Sequence, residues 1–170
     1  MSTDLLALGF QALFTVVLAL VHFGLWRQQK QRWYGTWGIA WTLYALRLGL
    51  ISAYLADPGR NEVWLFLHQA CTGITALLLL LAAQQFSSNS RWRRRYWFAG
   101  IAAVAWAAYS VLVMHNMAIA GASSVVLLSG VTLTTSTVFW RHNRLFPSSG
   151  ARMLAWVYML WGFHHLDYPF

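Results

Sequence analysis

Long apolar stretches alternate along the chain with short polar connectors. A helix that crosses a hydrocarbon core of about 30 Å needs roughly 20 apolar residues. Reading for that length predicts spans at about 5–26, 36–55, 63–84, 96–114, 122–140 and 153–168. The connectors are "RQQKQRW", "DPGRNE", "SSNSRWRRR", "NMAIAG" and "RHNRLFPSSGAR". The pattern predicts an all-α polytopic transmembrane helical bundle in one domain. No internal repeat and no low-complexity linker divides it. Two stretches, "GIAAVAWAAYS" and "SGVTLTTSTV", are rich in small and hydroxyl residues, which allow close helix approach in lipid. They are expected to form the tight seam of the bundle.

Composition closes off the soluble alternative. Of 170 residues, 59% are hydrophobic and 9% charged, against about 25% charged in ordinary soluble domains. So few charges cannot clothe a water-facing surface. Cys71 is the single cysteine, so no internal disulfide framework exists. The first apolar segment is long enough to span and is followed by no small-residue cleavage site, which makes it a retained helix rather than a signal peptide.

The net charge of +8 could suggest nucleic acid, but its distribution gives a topological reading. Arg27, Lys30, Arg32, Arg91, Arg93, Arg94, Arg95, Arg141, Arg144 and Arg152 hold ten of the twelve bases and fall on the first, third and fifth connectors. Basic short loops stay cytoplasmic. Loops 27–33, 85–95 and 141–152 are therefore expected inside and the N-terminus outside, in a bacterial inner membrane. Asp4, Asp57, Glu62 and Asp167 then fall toward the outer side. Trp33, Trp37, Trp64, Trp92, Trp97 and Trp140 lie near span ends, as interfacial aromatic belts require.

Polar residues at membrane depth carry the functional signal. A rise of about 1.5 Å per residue puts Arg47 about 17 Å, His164 about 18 Å, and His68 and Asp167 about 22 Å above the basic boundary. His115 lies at the outer end of the fourth span, and across the inner half only His22 stands out. An unpaired charge inside a membrane is expensive, so Arg47 is expected to face the bundle and meet Asp167. His164 and Asp167 share a helical face at i, i+3, which would let the aspartate hold one imidazole tautomer. Pro169 cannot continue helical hydrogen bonding, which would leave the cluster beside an outer crevice. The predicted ligand or sensing cluster is Arg47, His68, His164, His165, Asp167 and Tyr168.

Metal is the sharpest variant of that reading. His68 and Cys71 lie at i, i+3, and "MHNM" offers His115 between the sulfurs of Met114 and Met117. Imidazole, thiolate and thioether suit copper or zinc. With His164 and His165 these complete the candidate metal set, and His68 facing His164 or His165 could ligate a haem. The bland alternatives are ordinary packing for the sulfurs and an interhelical clamp for Arg47 with Asp167.

Two quoted stretches, "WTLYALRLGL" and "LWGFHHLDYPF", resemble the N-terminal multi-pass membrane input modules of bacterial sensor histidine kinases and diguanylate cyclases. "MHNM" resembles a degenerate MHYT motif of another sensor class, where the motif is repeated; here it occurs once. The first resemblance implies a sensory module in two-component or related signalling, with a seventh span, a cytoplasmic output domain and a homodimer through that domain. On that reading the chain is an N-terminal fragment of a longer protein. No Gly-x-Ser-x-Gly, His-Glu-x-x-His or paired-carboxylate pattern appears, so no enzyme is read from this segment. The competing classes are a small proton- or ion-coupled transporter and a haem- or metal-binding membrane redox protein.

Overall fold

A computed structural model describes residues 3–91 and 94–166, and the side chains of Thr3, Asp4, Leu5, Arg95 and Met117 lie outside that description. Asp167 and Tyr168 also fall outside the described residues. The fold is all-helical. Its elements are α1 (Thr3–Gln29), α2 (Arg32–Ala56), α3 (Glu62–Ser88), α4 (Arg94–Ala108, continuing as a π-helical turn over Tyr109–Val113), α5 (Met117–Leu145) and α6 (Ser149–Leu166).

Five of the six helices are long and apolar enough to cross a membrane. The shorter α6 carries Arg152, His164 and His165 among its eighteen residues, which dilutes its apolar character. The helices extend about a turn past the expected spans because the connector residues cap them. Lys30 and Asn89 turn the chain at positive φ of 55° and 49°, and Asn89 N–H closes α3 on Gln85 C=O at 2.9 Å. Asp57 accepts from the main-chain N–H of Gly59 and Asn61, and Asn61 in turn caps α3 through Val63 N–H. The "NMAIAG" connector proves to be mostly helix. Asn116 accepts from Ile119 N–H at 3.0 Å, which starts α5 a turn earlier than its apolar run suggested.

α3 is the central helix: 61% of its apolar window is buried, against 11% for α1. It packs on α2, α4 and α5, while α1 packs on α2 and α6 on α5. Large apolar side chains such as Phe10, Leu13, Phe98, Val126 and Leu160 point outward. A lipid-embedded bundle presents that surface, because tails solvate leucine and phenylalanine as well as a core does.

The two small-residue stretches form separate seams rather than one. A Cβ on Gly73 would sit 2.8 Å from Ala103 Cβ, so the first stretch presses α4 against α3. The second presses α5 against α6: a Cβ on Gly162 would meet Leu133 at 2.8 Å. Here Ser136 Oγ donates to Ala155 C=O at 2.6 Å, and Ser129 Oγ donates to the carbonyl of Gly162. Other hydroxyls, including those of Thr15, Thr42, Ser52 and Thr72, donate back to their own helix four residues earlier, as apolar surroundings require.

Two clusters fill the interior. Trp37, Leu79, Phe139, Ala155 and Tyr158 build an aromatic-rich core toward the basic connectors. Tyr54, Leu65, Val111 and Ala120 form a smaller one toward the opposite end. Along α2, Arg47 falls between them.

Candidate functional site

Between the two clusters lies a cavity of about 220 Å³, walled by residues of α1, α2, α3, α5 and α6. Its polar lining comes from Gln11, Tyr44, Arg47, His68, Gln69, Thr72, Ser124, His164 and His165, and its apolar lining from residues such as Leu48, Leu128 and Trp161. Large side chains from α2 and α6 meet at its edge. Trp161 stacks on Trp41 at 5.7 Å and meets Tyr44 at the same separation.

Arg47 dominates this space. Its guanidinium carbon lies 4.6 Å over the Tyr44 ring, a cation–π contact. Tyr44 is buried, and its hydroxyl accepts from the Gln11 amide at 3.3 Å. The Nε and Nη1 atoms of Arg47 are buried with no hydrogen-bond partner among the described residues. A guanidinium is a cation with five N–H donors and no acceptor, so two buried donors without a partner among the described residues are conspicuous. The acids whose side chains are described are engaged elsewhere, Asp57 on its own turn and Glu62 on His115.

The histidines have distinct settings. His68 donates from Nδ1 to the main-chain carbonyl of Arg47 at 2.9 Å, which fixes its tautomer because a carbonyl can only accept. His165 is 7% exposed, and its Nε2 has no partner among the described residues. Its ring packs on Trp161 at 5.3 Å. His164 lines the same cavity on the adjacent helical position.

The structure thus gathers Arg47, His68, His164 and His165, while Asp167 and Tyr168 lie outside the described residues. The remaining metal candidates are elsewhere. His115 sits at φ 49° between α4 and α5 and contacts both oxygens of Glu62 at 2.9 Å. Met114 is exposed beside it, and Cys71 is half-buried on α3 away from the cavity lining. No group of three or more His, Cys, Asp or Glu side chains placed to hold a metal ion occurs among the described residues. The expected copper or zinc donor set therefore does not assemble among them.

Gln11, Tyr44, Gln69, Ser124 and Trp161 complete the lining and were not singled out by sequence. Gln11 and Gln69 carried a usable signal, since an amide inside an apolar span needs a partner just as a charge does. Gln69 is 8% exposed and its carbonyl oxygen accepts from Ser124 Oγ. This contact walls the cavity from a neighbouring crevice of about 370 Å³, lined by Ala99, Ala103, Ala107 and Leu127 between α3, α4 and α5.

Below the cavity, toward the basic connectors, the interior is aromatic. Trp37 stacks on Phe139 at 5.9 Å, Phe139 on Tyr158 at 5.6 Å, and Trp33 meets Trp37 and Phe86 edge-on. In comparisons with known proteins, no family model, no curated protein and no solved structure matches the chain.

Proposed function

We propose that this chain is a membrane-embedded sensory module with no catalysis of its own, which receives a stimulus in the five-helix cavity and passes it on as a shift of α6. This is the role implied by its resemblance to the input modules of bacterial sensor kinases and diguanylate cyclases. On this reading the basic end faces the cytoplasm of a bacterial inner membrane.

The observation that carries the proposal is the convergence of five helices on Arg47, whose buried Nε and Nη1 lack partners among the described residues. A stimulus that supplies or removes a partner there changes the packing of α6 directly, through His164, His165 and Trp161. Packed helices have discrete arrangements rather than a continuum, so such a change is transmitted rather than absorbed. Transport is less well supported, because stacked and edge-on rings from Trp161 to Trp33 fill much of the interior toward the basic end.

The test follows the distance between the ends of α2 and α6. Spin labels at the exposed positions Leu55 and Leu166, in a Cys71→Ser background, report it in lipid nanodiscs by pulsed dipolar spectroscopy. A pH step, small organic acids, inorganic anions and divalent metals are applied in turn. At least one is expected to shift the distance distribution, with the shift lost in Arg47→Gln. A distribution that none of them moves would refute the sensory reading.

A further inference from the structure

We infer that the ligand of this cavity is a small carboxylate with an apolar tail, held by the guanidinium of Arg47. The inference rests on the sensory reading for its biological meaning but not for its chemistry. Arg47 presents Nε and Nη1, buried and without partners among the described residues. Nε shares an edge of the guanidinium with Nη2, and that edge suits the planar two-oxygen geometry of a carboxylate, which a guanidinium can engage through two parallel bonds. His165, in the same lining, offers a buried Nε2 with no partner of its own among the described residues.

Tyr44 already occupies one face of the guanidinium, at 4.6 Å, which leaves the N–H edge as the binding direction. The rest of the lining favours a tail over a second charge. Leu8, Leu48, Ile51, Val125, Leu128 and Trp161 border the same space, and no described acid does. With room for roughly seven waters in about 220 Å³, the occupant is an acid of the size of butyrate or benzoate. The carboxylate could reach the site as a free solute or as the head of a membrane fatty acid; the recognising chemistry is the same.

The experiment is isothermal titration of the purified full chain. Acetate, butyrate, benzoate, chloride, sulfate and phosphate are tested in lipid-free maltoside micelles, and palmitate is tested in zwitterionic nanodiscs. Butyrate or benzoate is expected to bind saturably, with dissociation constants of about 1 mM or tighter. Arg47→Gln should weaken binding at least about tenfold, as loss of a charge-assisted hydrogen bond requires. Arg47→Lys should give an intermediate loss, and His165→Phe a smaller one. Binding of the short acids supports the proposal, with added binding of palmitate assigning a lipid source as well; binding of palmitate alone overturns it.

Absence of saturable carboxylate binding to the wild type overturns it, as does tighter binding of chloride, sulfate or phosphate. A wild type that binds nothing while Asp167→Asn binds butyrate would show that the counter-charge is the chain's own carboxylate, which also overturns it. The two proposals fail separately. Carboxylate binding with no movement between Leu55 and Leu166 defeats the sensory reading alone, and movement under another stimulus without carboxylate binding defeats this one alone.

Discussion

His68 on α3 donates to the main-chain carbonyl of Arg47 on α2, at 2.9 Å. The bond joins two helices at the height of the cavity and holds the imidazole in one tautomer, with Nδ1 committed and Nε2 left as an acceptor. Arg47 thus serves twice: its carbonyl anchors a neighbouring helix and its side chain faces the space between helices.

That bond should contribute little to stability. Interhelical hydrogen bonds in membrane proteins are worth about 0.6 kcal/mol on average, and the Arg47 carbonyl keeps its place in the helical ladder. His68→Phe, which retains a ring but removes the donor, is expected to lower stability by about 0.5–1.5 kcal/mol in reversible denaturation from micelles. A loss well above that range would mean that His68 braces more than this one contact.

Arg47 itself should destabilise the empty protein. A lone arginine at membrane depth costs about 2.5–3.5 kcal/mol on insertion scales, and its Nε and Nη1 recover none of that cost from hydrogen bonds to the described residues. Arg47→Met keeps the length of the side chain and removes the charge. It is expected to raise the melting temperature while abolishing ligand binding, the pattern of a residue retained for function at the expense of stability. A loss of about 3 kcal/mol or more, as seen when one partner of a buried ion pair is removed, would instead make Arg47 half of a structural clamp.

Much of the architecture was legible because membrane helices announce themselves by apolar length: each described helix overlaps an expected span, and five of the six are long and apolar enough to cross. Depth was legible too: counting residues from the span ends puts Arg47, His68 and His164 at similar heights. Height is not azimuth, however. Nothing in the one-dimensional pattern says that Tyr44 turns its ring under Arg47, that Trp161 stacks on Trp41, or that Ser124 reaches Gln69. These depend on helix rotation, which is set by which small residues permit close approach. The same blindness explains the seam, where Gly73 and Gly162 choose different partners for two stretches of like composition. His115 was legible as a polar residue at a helix end but not as a contact of Glu62, because the two are 53 positions apart.

The α5–α6 seam makes a prediction of its own. A methyl group on Gly162 would lie 2.8 Å from Leu133 Cγ and Cδ2, and the carbonyl of Gly162 accepts from Ser129. Gly162→Ala therefore forces the helices apart or Leu133 out of its rotamer. Overpacking of this kind costs about 1–3 kcal/mol. Adding Leu133→Ala removes the two closest atoms and leaves Thr132 Oγ1 at 3.0 Å, so the double variant should recover part of that loss in the same denaturation assay. Equal stability of Gly162→Ala and wild type would show that the seam yields more easily than the spacing implies.

Ligand length should be set by the wall between the two cavities. Gln69 and Ser124 line both the Arg47 cavity and the alanine-lined crevice beyond it, and their side chains are bonded to each other. With the wall in place a carboxylate anchored at Arg47 has only the first space for its tail. Acids longer than that space permits must break a buried hydrogen bond to advance, which costs about 1–3 kcal/mol for the groups left unpaired. Gln69→Ala deletes the wall and connects the two volumes. Across a series of straight-chain acids, affinity in the wild type is expected to peak at short chains and decline. In Gln69→Ala the peak should move to longer chains, while affinity for acetate, which never reaches the wall, changes little. An unchanged optimum would place the tail on the Trp161 side of the cavity rather than toward α4.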